Sequence, residues 1–193
     1  MTPKEHLQGT LKLWESMATE LFKMQEFITI EKLNDQFYRR LFLRNLFSII
    51  ETYIFITKEL VKNRLAIDIN SSQVSWSELA ALNEKKVMLD AQGEVKVNDD
   101  FQKFEPSLRF TLNIFAKVFG SSLPNYGDSN FEKLKKLSKR RNDITHPKYF
   151  EELIISDQEI DDSFSMFTWF IQTHAQINEK FVEWVRLTYG KTE

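Results

Sequence analysis

The 193 residues contain no cysteine, so neither a disulfide framework nor a cysteine-ligated zinc site can organise this chain. Glycine and proline are scarce, five and four respectively, which leaves little punctuation for a many-stranded fold. No apolar run is long enough to cross a bilayer. The most apolar stretch, LFSIIETYIFI (46–56), is short and carries Glu51 in its middle. The opening MTPKEHLQGTLKLWESMATE has no apolar core of signal-peptide character, so a cytoplasmic protein without a membrane partner is expected. A glycine-rich phosphate loop and a serine nucleophile elbow are both missing.

What is present points to helices. Hydrophobic residues make up 42% and charged residues 28%, a globular balance, and seventeen phenylalanines supply bulky core material. The length suits one domain over 1–193 with a substantial core. Leu7, Leu11, Trp14, Met17, Leu21, Met24 and Ile28 recur at three- and four-residue steps, predicting an amphipathic helix over 4–28. Asn34 is the expected cap of a second helix reaching Arg64, apolar round most of its circumference and therefore central.

An excursion over 66–103 follows: a polar stretch to 76, a short helix capped by Ser75 or Ser77, and a hairpin over 86–97. A third core helix is expected over 104–120, closed by Gly120. A fourth runs over 130–146 behind a Ser129–Glu132 capping box, and a last one over 157–188 behind Ser156–Glu159. The stripe of the last helix reads Ile160, Phe164, Phe167, Ile171, His174, Ile177, Phe181 and Val185. The expected fold class is all-α: an up-and-down bundle of four to five long helices with a small β-hairpin insert.

Charge is distributed unevenly. In FEKLKKLSKRRNDITHPK (131–148) seven Lys and Arg stand against Glu132 and Asp143, a local +5 that leaves −7 on the rest of a chain of net −2. The segment reads as one anion-facing patch, beside the plainer reading of a solvated helix face. At 100° per residue, Leu134, Leu137, Arg141 and Ile144 share a narrow arc, so a guanidinium lies on the core-facing stripe. Such a group needs a partner or an interface cleft. The plain structural reading pairs it with Glu51, which shares a stripe of the second helix with Arg44 and Ser48. His146 sits at the helix end, where the macrodipole favours a protonated ring; Pro147 disfavours helical geometry there and should end the helix.

RNDITH (Arg141–His146), late in an all-helical chain and followed by HPK, matches the R-x4-H motif of the HEPN superfamily, including a polar residue after the arginine. The second helix RNLFSIIETYIFITKEL and the LDAQGEVKV excursion also resemble members of that group. The resemblance implies a metal-independent endoribonuclease without cofactors, active as a homodimer whose two motifs face each other across a cleft. RNA carries its own nucleophile in the 2′-hydroxyl. A histidine can exchange protons with that hydroxyl or the leaving oxygen, typically worth about 10²–10⁴-fold, and an arginine can meet the charge building on the phosphoryl oxygens.

The catalytic residues implied are Arg141, His146 and Asn142, with Glu51 behind them as an orienting group and Lys135, Lys136, Lys139, Arg140 and Lys148 contacting RNA phosphates. Residues five apart stand about 140° apart on a straight helix, so the proline-induced helix end, the length of arginine or a twofold partner must supply the convergence. Partners implied are a second copy of the chain, an RNA substrate and an antitoxin or regulatory protein; the cellular roles implied are those of a toxin or phage-defence effector. The alternative is a non-catalytic HEPN module for dimerisation or for nucleotide or partner binding. A purely structural assembly protein forms a third class.

Two further patterns are weaker. Asp90, Glu94 and Lys96 spell D-x3-E-x-K, as in some metal-dependent nucleases, but on a short hairpin with no surrounding sheet. His6 and His174 lack partners at metal-ligand spacing and read as a surface and a core residue, while the four scattered tryptophans read as core or interface anchors.

Overall fold

A computed structural model describes residues 2–67 and 74–190, save the side chains of Gln25 and Phe27. Among these residues the chain forms six α-helices and one two-stranded hairpin: α1 (Pro3–Phe27), α2 (Gln36–Ile67), α3 (Trp76–Leu82), β1 (Lys85–Leu89), β2 (Val95–Asp99), α4 (Phe104–Phe119), α5 (Ser129–Thr145) and α6 (Asp157–Tyr189). The fold is an all-α bundle with a small β-hairpin. Much of the expected polar stretch before α3 lies outside the described residues, at 68–73.

Helix ends follow local chemistry, with two corrections to the expected caps. Asn34 belongs to a 3₁₀ turn (Lys32–Asn34), and the Asp35 carboxylate instead accepts the Phe37 N–H at 2.7 Å at the head of α2. At α5, Asp128 is the N-cap and accepts from the Asn130 N–H at 2.7 Å, displacing Ser129 into the first helical position. The predicted Ser156–Glu159 capping box forms, and of the two candidate caps of α3 it is Ser75 that serves, in a capping box with Glu78. Gly120 closes α4 at φ 71°, a left-handed conformation that suits a residue without a Cβ.

The chain packs as two compact units. The first comprises Met1–Thr10, Ile54–Leu123 and Ile177–Glu193. Its core gathers Ile56, Val61, Leu108, Leu112 and Phe115, with Phe119 edge-on to Trp184. The insert is fastened here by Lys58, which is buried and donates to Glu84 at 2.7 Å, Gln102 at 3.1 Å and Ser107 at 3.0 Å. Three acceptors match the three N–H donors of an ammonium, so burial leaves none unpaired. In the antiparallel hairpin Val87 faces Val97 and Leu89 faces Val95, and both strands are exposed along their length.

The second unit comprises Leu11–Tyr53 and Pro124–Gln176. Leu43, Leu46, Phe47 and Ile50 of α2 are fully buried, as are Phe131 and Leu134 of α5, Ile155, and Met166 of α6. The core face of α6 departs from the expected stripe. Phe164 and Ile171 are about half exposed, whereas Ser163, Met166, Trp169, Phe170 and Thr173 are buried. A run rich in apolar residues on several sides lets packing, rather than periodicity, choose the buried arc.

Candidate functional site at the seam of α2 and α5

The fourth predicted helix forms as α5, and its arc behaves as its spacing requires. Leu134, Leu137 and Ile144 are buried at 3% exposure or less, and Arg141 shares their side of the helix. Burying a guanidinium among aliphatic groups is costly unless its donors are occupied. Here the Arg141 side chain is only 20% exposed and its Nη2 donates to the Glu51 carboxylate. The guanidinium carbon also lies 5.6 Å from the centre of the buried Phe47 ring, within cation–π range. Its Nε is buried with no hydrogen-bond partner. The buried Nε–H is thus left over beside the Nη2 contact to Glu51.

The exposed edge of α2 supplies both partners of this seam. Arg44, Ser48 and Glu51 are exposed there, as their common stripe predicts. Arg44 donates to the Ile144 carbonyl near the end of α5, and Glu51 accepts from Arg141 one turn earlier. The two contacts run in opposite directions across the seam, which fixes α5 against α2. Glu51 remains 45% exposed, so the pair is open to solvent on one side.

His146 caps the helix at φ −127° and ψ 59°, directly before Pro147, and its backbone N–H reaches the Asn142 carbonyl at 3.0 Å. The side chains of His146 and Asn142 are exposed and engage no hydrogen-bond partner among the described residues. His146 is therefore available to solvent, whereas Arg141 is held.

The basic segment divides by partner. Lys133 pairs with Asp162 at 3.2 Å, Lys135 with Glu132 at 3.1 Å, and Arg140 with Glu159 at 2.6 Å. Arg140 further donates to the carbonyls of Glu152 at 2.6 Å and Ile154 at 2.5 Å, so its fork is spent on holding the chain after α5. Burial of Glu159 opposes its charged form, but the Ser156 N–H and the Arg140 guanidinium outweigh that and hold its carboxyl below the usual range. Lys136, Lys139 and Lys148 have no carboxylate within ion-pair distance among the described residues. These three are the cations left for an outside anion.

Other candidate chemistry falls away. Asp90 of the D-x3-E-x-K pattern accepts the backbone N–H groups of Gln92 and Glu94, both at 2.9 Å, and pairs with Lys96 at 3.1 Å. The Glu94 N–H first, then Lys96, hold its carboxyl below the ordinary range. It is the organiser of a hairpin turn. Among the described residues no group of three or more His, Asp or Glu side chains gathers as metal ligands would. His6 pairs with Glu59 at 2.9 Å. His174 is buried, stacked on Trp14 at 5.1 Å, and burial pushes its pKa down to about 3.

A cavity of about 640 Å³ in the same unit is lined mainly by apolar side chains, among them Leu33, Phe42 and Phe164. Arg141, Asn142 and His146 do not line it. The aromatic pair Tyr149 and Phe150, directly after HPK, is 69% and 71% exposed and was not singled out by the sequence reading. The signal was present, since two adjacent aromatic residues flanked by a lysine and two glutamates have no amphipathic periodicity to bury them.

No protein-family model, no curated protein and no solved structure matches this chain.

Proposed function

We propose that the chain is a HEPN-type endoribonuclease, cutting RNA by attack of the 2′-hydroxyl on the adjacent phosphate. His146 exchanges the proton with that hydroxyl or with the 5′-oxygen. Arg141 meets the negative charge that builds on the phosphoryl oxygens, and Asn142 positions the phosphate or the imidazole. Glu51 orients Arg141 until substrate arrives. Lys136, Lys139 and Lys148 carry the approach of the polyanion, with Lys135 and Arg140 contributing positive potential while engaged within the chain.

The observation that supports this reading most is the pairing of a held arginine with an unengaged histidine. Arg141 is pre-oriented at the seam with its buried Nε–H unspent, and His146 stands exposed at the end of the same helix. A pre-oriented guanidinium costs little reorganisation when charge develops in the transition state. One chain offers a single Arg141 and a single His146. The proposal therefore places the working site at a homodimer cleft, where two copies supply the convergence that one helix lacks. A cytoplasmic toxin or phage-defence effector, restrained by an antitoxin or regulator, is the cellular role proposed.

The test is His146→Ala. It should abolish cleavage of RNA while leaving helical circular dichroism and self-association unchanged, because the side chain is exposed and holds no hydrogen bond among the described residues. Full activity in that variant would refute the assignment.

The Arg141–Glu51 pair favours one second reading, a non-catalytic module in which the arginine only locks α5 to α2. In that case no RNA is cut by the unaltered chain, and replacing Arg141 lowers stability without touching RNA affinity.

A further inference from the structure

The chain beyond His146 is fastened to an unusual degree for a surface connection. Arg140 holds the carbonyls of Glu152 and Ile154, and Arg40 donates to the Leu153 carbonyl at 3.0 Å. Arg39 reaches the Ile155 carbonyl at 2.7 Å, and Gln36 binds both the N–H and the C=O of Ile155, at 2.8 and 3.0 Å. The Glu152 carboxylate turns back to accept the Lys148 N–H at 2.6 Å. All of these groups belong to one packed unit. What this framework presents is the Tyr149–Phe150 pair, 69% and 71% exposed, with no ring contact among the described residues.

Scattered exposed apolar side chains are ordinary. Two adjacent aromatic rings on a pinned backbone are less so, because nothing among the described residues covers them and the anchoring gives them little freedom to fold away. They directly follow Lys148, a cation without a carboxylate partner among the described residues. Tyr149 lies three residues after His146, so their Cα atoms can be no more than about 11 Å apart even if the chain is fully extended.

We propose that Tyr149 and Phe150 form a stacking platform for unpaired bases of RNA, which makes the site selective for single-stranded substrate. This rests on the ribonuclease reading above and extends it to the class of RNA taken. Aromatic faces stack on any base, worth roughly 1–3 kcal/mol each by alanine substitution, and Lys148 supplies the neighbouring phosphate contact. A duplex keeps its base faces covered by stacking and offers the platform nothing. The positive charge of the segment selects a polyanion over an apolar protein surface as the occupant.

The experiment measures fluorescence anisotropy of a short labelled single-stranded RNA and of a blunt-ended two-strand duplex of the same length, using His146→Ala protein so that the probe survives. Tyr149→Ala and Phe150→Ala should each weaken single-strand affinity roughly tenfold. Duplex affinity should stay unchanged, and Tyr149→Phe should retain single-strand binding. In the otherwise unaltered chain the same alanine variants should raise KM for single-stranded RNA and spare kcat. Equal losses on both probes, no loss on either, or a halved molecular mass in light scattering with RNA affinity intact would overturn the platform. The failures separate cleanly. If the unaltered chain neither binds nor cuts RNA, the ribonuclease reading falls and the platform with it. If cleavage stays dependent on His146 while the aromatic variants change nothing, the platform alone falls.

Discussion

Acidification should destabilise this protein through one side chain, His174. The ring is buried against Trp14 at 5.1 Å and near-perpendicular to Tyr53 at 3.6 Å, with Phe170 also beside it. Burial disfavours the charged imidazolium and lowers its pKa from 6.5 to about 3. The folded state thus keeps the ring neutral where the unfolded chain protonates it. Below pH 6.5 the unfolded state binds the extra proton, so stability is complete above that value and declines as pH falls towards about 3.

The slope approaches ~1.4 kcal/mol per pH unit, and the whole window amounts to roughly 5 kcal/mol. Between pH 7 and pH 5, above the range where carboxylates titrate, the loss is about 2 kcal/mol. With a urea m-value of about 2 kcal/mol per molar for a chain of this size, the unfolding midpoint should drop by ~1 M. Urea titrations followed by helical circular dichroism at the two pH values measure this directly. His174→Phe keeps a planar ring against Trp14 and removes the titration, so its midpoint should lose most of that pH dependence. Identical pH dependence in the two proteins would refute the burial argument.

Two further outcomes follow from the ion pairs. Lys58→Met strands the acceptors of Glu84 and Ser107, which should cost about 2 kcal/mol and make the hairpin the first site of limited proteolysis. Among the described residues three lysines of the basic segment lack carboxylate partners, so the affinity for single-stranded RNA should fall with salt at a log–log slope of about −2. Removing Lys136, Lys139 or Lys148 should flatten that slope by roughly 0.7, whereas removing Lys133, which is tied to Asp162 at 3.2 Å, should not.

Helix identity was legible in the sequence because apolar spacing and scarce glycine and proline leave few alternatives. α5 illustrates how far that carries. Its termination before Pro147 and the position of Arg141 among Leu134, Leu137 and Ile144 follow from periodicity and one proline. So did the Glu51 partner, since a guanidinium in that arc requires an anion and α2 offers one there.

Other features were not legible. The caps at Asp35 and Asp128 compete with equally suitable neighbours, Asn34 and Ser129, and only backbone geometry chooses between them. The buried arc of α6 is set by packing of a helix that is apolar on more than one side. The division of the basic segment into engaged and unengaged cations depends on residues distant in sequence, such as Asp162 and Glu159, which a charge count cannot pair. The same holds for the framework around 152–155, assembled by Gln36, Arg39, Arg40 and Arg140.

Incubating the purified chain with single-stranded RNA, beside its His146→Ala variant, tests the central proposal most directly. The expected result is cleavage leaving 2′,3′-cyclic phosphate ends in the unaltered protein and none in the variant, at equal helicity and mass. Cleavage that persists without the imidazole, or no cleavage by either protein, would contradict it.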